Sequence, residues 1–179
     1  MKTRLIASVL AAASVLCCFS ACGDSDENDS SEIRVSKDDI QSANTGASSL
    51  YKAVNMSLVE LDADDGVIID YNGWMDISDF CVPTDEVKKN SASRGTKLEE
   101  PDNMNLLNYY IHQYFSSIEK LDSAYIYLED EACLGAVICI DEYTWGTFPG
   151  DLIEPSDLKG GKFTKEDAMA KVEAKLEDQ

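Results

Sequence analysis

This sequence is short of positive charge. Lysine and arginine number 15 against 34 aspartates and glutamates, giving a formal net charge of −19 at pH 7. A nucleic-acid binder carries a basic footprint, so that class is excluded. Adsorption to anionic lipid by charge is excluded for the same reason. Two readings of the acidity remain: capture of cations or basic partners, or the solubility of a surface protein. Histidine occurs once, and no CxxC or Cys/His spacing suggests zinc. Long apolar runs are also missing. The longest lies between Leu5 and Leu16, short of the about 20 residues a permanent membrane-spanning helix requires.

What is there begins with that short run. Lys2 and Arg4 precede it, Leu5, Ile6, Val9, Leu10, Val15 and Leu16 build it, and Phe19-Ser20-Ala21-Cys22 follows. A charged start, a brief apolar core and small residues before a cut are the layout of a secretory signal. Phe19-Ser20-Ala21-Cys22 resembles the lipobox of bacterial lipoproteins, with Phe19 where leucine is usual. Cys17 and Cys18 fit that pattern less well, since neither follows a small residue. The resemblance implies removal of residues 1–21 and a diacylglycerol on the Cys22 thiol. It further implies a protein held on the outer face of the cell membrane by lipid, since two or more chains anchor stably. With Lys2 and Arg4 gone, the 15 basic residues become 13 against 34 acidic ones, a net charge of about −21. Residues 22–35 are acidic, serine-rich and nearly free of apolar side chains, which predicts a disordered tether.

Of 6 cysteines, Cys17 and Cys18 leave with the signal and Cys22 takes the lipid. Cys81, Cys133 and Cys139 remain, an odd number that allows one disulfide at most. Cys133 and Cys139 fall on one predicted strand roughly 20 Å apart, too far to bridge. Either Cys81 pairs with one of them, or all three are small buried thiols.

The remaining length predicts one domain of α+β class, residues 36–150, with 151–179 as a C-terminal extension bearing a short helix. A long amphipathic helix starts at Ser36, which caps it, with Asp38 and Asp39 in the first turn. Ala47, Leu50, Tyr51, Val54, Leu58 and Leu61 form its apolar stripe, and Gly66 ends it. The acidic cluster Asp62, Asp64, Asp65 fails the EF-hand pattern, because Gly66 falls at the fifth position and Val67 at the sixth. Val67 to Tyr71 reads as a strand followed by an Asn72-Gly73 turn. Residues 75–101 read as irregular, with an exposed polar loop over 88–96. A second helix opens at Pro101-Asp102 and carries a stripe from Met104 through Leu107, Ile111, Tyr114 and Ile118 to Leu121. Ala124 to Leu128 alternates like a half-buried strand, with Tyr125 and Tyr127 facing away from the helices as contact aromatics. Ala132 to Ile140 is continuously apolar and reads as a central strand covered on both faces, and Gly135 marks a bulge or a close backbone contact. Thr164 and Asp167 form a capping box for a short helix from Glu166 to about Leu176.

The order helix, strand, helix and antiparallel meander resembles the globular part of pilin-like and pseudopilin-like proteins of anaerobic gut Firmicutes. The residues that carry the likeness are Ala47-Ser48-Ser49-Leu50-Tyr51-Lys52-Ala53, Leu61-Asp62-Ala63-Asp64-Asp65-Gly66, Tyr109-Tyr110-Ile111-His112-Gln113-Tyr114-Phe115, Ala124-Tyr125-Ile126-Tyr127 and Trp145-Gly146-Thr147-Phe148-Pro149-Gly150. The resemblance covers residues 40–150. The resemblance implies an interaction module with an envelope or pilus protein partner. A pilin, however, retains an apolar N-terminal helix with a glutamate near its start, and this chain has no such glutamate. The lipid on Cys22 then replaces the helix as anchor.

Three functions compete. A lipid-anchored, non-catalytic interaction module needs no cofactor and follows from the anchor and the element order. A small solute-binding lipoprotein is the second, although the chain is short for a two-lobed binder. A hydrolase working through paired carboxylates is the third, with Asp70, Asp76 and Asp141 at strand ends as its candidates. His112 falls off the helix stripe with Ser116 one turn further on, a pair that lacks any third group to orient it.

Overall fold

The computed structural model describes residues 35–77 and 102–178. They form an α+β fold in which three helices pack on a four-stranded antiparallel sheet. Helix α1 spans Lys37–Glu60. Its start is set locally: the Ser36 hydroxyl accepts from the Asp39 N–H at 3.1 Å, and the Asp39 carboxylate accepts from the Ser36 N–H at 3.0 Å. This reciprocal box satisfies two of the N–H groups a helix start leaves bare. One wider π-type turn, Leu61–Asp65, leads to Gly66, whose φ of 64° and ψ of 31° end the helix in the left-handed region that glycine enters without strain.

Strand β1 is Gly73–Asp76, not the Val67–Tyr71 segment that sequence suggested. Val67 and Ile69 are buried while Ile68 and Asp70 are exposed, so the alternation was real. Pairing decided otherwise. The free edge of the next strand is taken by Trp74 opposite Tyr127 and Met75 opposite Ile126, which puts Met75 on the core face. Helix α2, Asp102–Tyr114, also departs from expectation. The stripe continues to Leu121, but the helix stops at Phe115 (φ −138°, ψ 68°), and a tight 3₁₀ turn, Ser116–Lys120, follows. Ile118 is still buried in the same core from this turn, which is why the apolar spacing outlasted the helix.

The meander β2 (Ser123–Glu129), β3 (Ala132–Cys139) and β4 (Trp145–Phe148) completes the sheet in the order β1-β2-β3-β4. The register slips between Tyr127 and Leu128, because Tyr127 faces Gly135 while Leu128 faces Cys133. This is a bulge that leaves Leu134 over, and it reverses which face each later residue of β3 occupies. Cys133 and Cys139, six apart, therefore lie in different cores.

The first core lies between the sheet and α1 with α2. It includes Leu50, Val54, Leu106, Leu107, Ile111, Ile126, Leu128 and Ile138, each with almost no exposure. The second lies on the other face. Residues 151–179, set apart in sequence as an extension with a short helix, pack on this face. Ile153, Leu158, Ala168 and Val172 bury against Tyr125, Val137, Cys139 and Trp145. Helix α3, Lys165–Glu177, is opened by the Thr164–Asp167 box. It sits directly on Gly135, where a β-carbon would lie 2.7 Å from Val172 Cγ1. A rim contact holds the connection: Asp157 accepts from the Glu154 N–H at 2.8 Å and pairs with Lys171 at 3.1 Å. Burial pushes the Asp157 carboxyl up, but that N–H and the Lys171 charge outweigh it and hold it below the usual range.

Candidate binding groove

A concave site is built by α1 and the end of β4. The N-terminal half of α1 crosses the outer edge of β4 so closely that a β-carbon on Gly146 would lie 2.2 Å from the Ala43 carbonyl carbon. At this crossing the Asn44 side chain, 7% exposed, accepts from the outward Thr147 N–H at 2.9 Å. An edge strand that would offer bare N–H groups is thereby closed to other strands. Beside the crossing, Gln41, Thr45, Ser48, Ser49 and Lys52 form one polar helix stripe. Thr147, Phe148, Gly150 and Asp151 form the facing wall. The groove between them has a volume of about 350 Å³, at the small end of ligand sites.

Several of its polar side chains are fixed by their own bonds. Thr45 Oγ1 donates to the Gln41 carbonyl at 2.9 Å and Ser49 Oγ to the Thr45 carbonyl at 2.8 Å, so both hydroxyls turn lone pairs outward. Asn44 Oδ1 is committed to Thr147, and no acceptor for Asn44 Nδ2 is found among the described residues. Phe148 is held by Tyr51, with ring centroids 4.1 Å apart. Chemically the groove offers fixed acceptors, one fixed donor, an aromatic wall and one charge of each sign, Lys52 and Asp151.

The residues singled out from sequence lie elsewhere. Cys22, the signal, the tether from 22 to 34 and the loop over 88–96 lie outside the described residues, as does Cys81. Cys133 and Cys139 are free thiols, each deep in one core. Burial pushes the Cys133 thiol up to about 12, partly offset by a hydrogen bond from the Gly135 backbone. Burial, then the Asp122 and Asp141 charges, push Cys139 to about 12. A thiol that ionises more readily unfolded than folded stabilises fully below its unfolded value. Stability should therefore hold below about pH 8.5 and fall as pH rises towards the folded values. At about pH 8 the native protein should leave both cysteines unmodified by iodoacetamide, and denaturant should open both. Peptide mass mapping that finds either one modified in the native protein as readily as in denaturant would contradict their burial.

Tyr125 is corrected as a contact aromatic. Residues 153–172 cover it, and Lys165 Nζ stands 5.5 Å from its ring centre. Tyr127 is half-buried edge-on to Trp74, whose indole N–H donates to Glu173 at 2.7 Å. Asp70, Asp76 and Asp141 are exposed on three separate segments, and Asp141 serves its own turn by accepting from the Thr144 N–H at 2.9 Å. His112 faces Glu119 at 3.7 Å, and Ser116 lies beyond the end of its helix. Among the described residues no cluster of three or more histidine, cysteine or acidic side chains could hold a metal ion. No described helix is long and apolar enough to cross a membrane. Neither a protein-family model, nor a curated protein, nor a solved structure matches this chain.

Proposed function

We propose that this protein is exported and anchored by a diacylglycerol on Cys22 to the outer face of the cell membrane, where its α+β domain serves as a non-catalytic binding module. The observation that carries the reading is the run Phe19-Ser20-Ala21-Cys22 behind a charged start and a short apolar core. The order of elements supports the pilin-like part of it, with α1 preceding an antiparallel meander that packs on it. An envelope protein such as a pilus component is the partner that this order suggests. A two-carboxylate hydrolase draws less support, since Asp70, Asp76 and Asp141 stand exposed on separate segments. Solute capture draws on the groove between α1 and β4 and is the second reading.

The anchor is tested by feeding cells an alkyne fatty acid and following the protein by fractionation. Wild type should be labelled and sediment with membranes. Cys22→Ala should lose the label and leave the membrane fraction, because no other described segment is fit to span it. Undiminished label on Cys22→Ala, or none on wild type, would overturn the proposal.

A further inference from the structure

We infer that the groove between α1 and β4 is a saccharide site, taking a short stretch of a neutral glycan. The inference rests on the reading of this domain as a binding module and names the ligand class for it. A sugar presents hydroxyls that donate and accept side by side, and a face of C–H groups that settles on an aromatic ring. The groove offers the complement. Thr45 and Ser49 have spent their protons on helix carbonyls and accept only through outward lone pairs. Asn44 is locked with its oxygen on the Thr147 N–H, which fixes the amide's orientation and leaves Nδ2 as a donor at the groove floor. The residue as a whole is 7% exposed, but Nδ2 is not among the buried unpartnered atoms, so it keeps access to solvent without a protein acceptor among the described residues and a ligand oxygen can take the place of water there. Phe148, braced by Tyr51, supplies the ring.

Charge selects the same ligand. The chain as a whole is strongly acidic and repels anionic polymers. Inside the groove Lys52 and Asp151 balance, so nothing there favours a basic peptide over a neutral ligand. Strand addition by a peptide is blocked at this edge, because Asn44 already occupies the Thr147 N–H.

The test uses the lipidated protein purified in detergent, titrated by calorimetry with neutral hexasaccharides of glucose, xylose, mannose and N-acetylglucosamine. At least one should bind at or below about 10 mM. Ser49→Arg, on an exposed helix position, should fill the groove and weaken that binding about tenfold or more while leaving the melting curve unchanged. Asn44→Asp keeps an oxygen for Thr147 but removes the donor, and should also weaken binding. Absence of binding by all four sugars, or binding indifferent to Ser49→Arg, would overturn the inference, as would capture of a lysine-rich peptide at this site in place of sugar. The same preparation is weighed intact by mass spectrometry. A lipidated Cys22 with no sugar binding defeats the saccharide site alone, and sugar binding without lipid defeats the anchor alone.

Discussion

Replacing Gly146 by alanine is expected to destabilise this protein by about 3 kcal/mol or more, a fall in melting midpoint of roughly 10 °C. The reason is space. A β-carbon there would stand 2.2 Å from the carbonyl carbon of Ala43, 2.3 Å from its oxygen and 2.6 Å from the Asn44 nitrogen. All three are helix backbone, which cannot swing aside as a side chain does. α1 would have to lift from the sheet, breaking the Asn44–Thr147 bond and opening the core above Ile138. The helix is shaped for this approach, since Ala43 and Ala47 are fully buried at the crossing. Gly46→Ala is the control. Its β-carbon would meet only the end of the Ile138 side chain at 2.6 Å, which can change rotamer, so about 1 kcal/mol is expected. Melting curves by circular dichroism decide it, and equal losses for the two variants would refute the account.

Elements that depend on neighbours in sequence were legible from sequence. Ser36 with Asp39 and Thr164 with Asp167 cap their helices by contacts three residues apart, so the residues alone announce them. Gly66 is legible for the same reason, and Gly135 signalled both a bulge and a close approach. Elements decided by distant partners were not. Val67 to Tyr71 has the better strand composition, yet β1 forms at Gly73–Asp76 because that segment sets Met75 against Ile126. The second helix stops early although its apolar spacing continues, since Ile118 reaches the same core from a 3₁₀ turn. Tyr125 looked outward-facing because nothing local tells that α3 folds back over it. The groove was missed for a like reason. Gln41, Thr45, Ser48, Ser49 and Lys52 read as an ordinary solvated helix face, and only the passage of β4 beside them, about 100 residues later, makes that face one wall of a cleft. Asn44 carried the nearest thing to a signal, a polar side chain next to the alanines of the apolar stripe.

A second asparagine on α1 is the other place where a large loss is expected. β4 pairs only with Ala136 to Cys139, so the first half of β3 has no strand on that side. Asn55 fills the gap. Its Nδ2 donates to the Cys133 carbonyl at 3.0 Å and its Oδ1 accepts from the Cys133 N–H at 3.2 Å, the two bonds a paired strand residue would make. Nδ2 also reaches the Tyr51 carbonyl at 3.2 Å, which sets the side chain on its helix. Asn44 does half of the same work for Thr147, and the two asparagines sit about three helical turns apart. α1 thus serves as a substitute strand at two points where the sheet has none. Asn55→Ala should strand both backbone groups of Cys133 at the rim of the core and cost about 2–3 kcal/mol. Asn44→Ala, which strands one N–H, should cost about 1–2 kcal/mol. Urea titration orders the two losses, and amide exchange gives the diagnostic: the Cys133 N–H, slow in wild type, should exchange faster in Asn55→Ala while the Val137 N–H stays slow. An Asn55→Ala protein within about 0.5 kcal/mol of wild type would mean that water replaces the amide at no cost, and that this stretch of β3 is held by β2 and the first core without it.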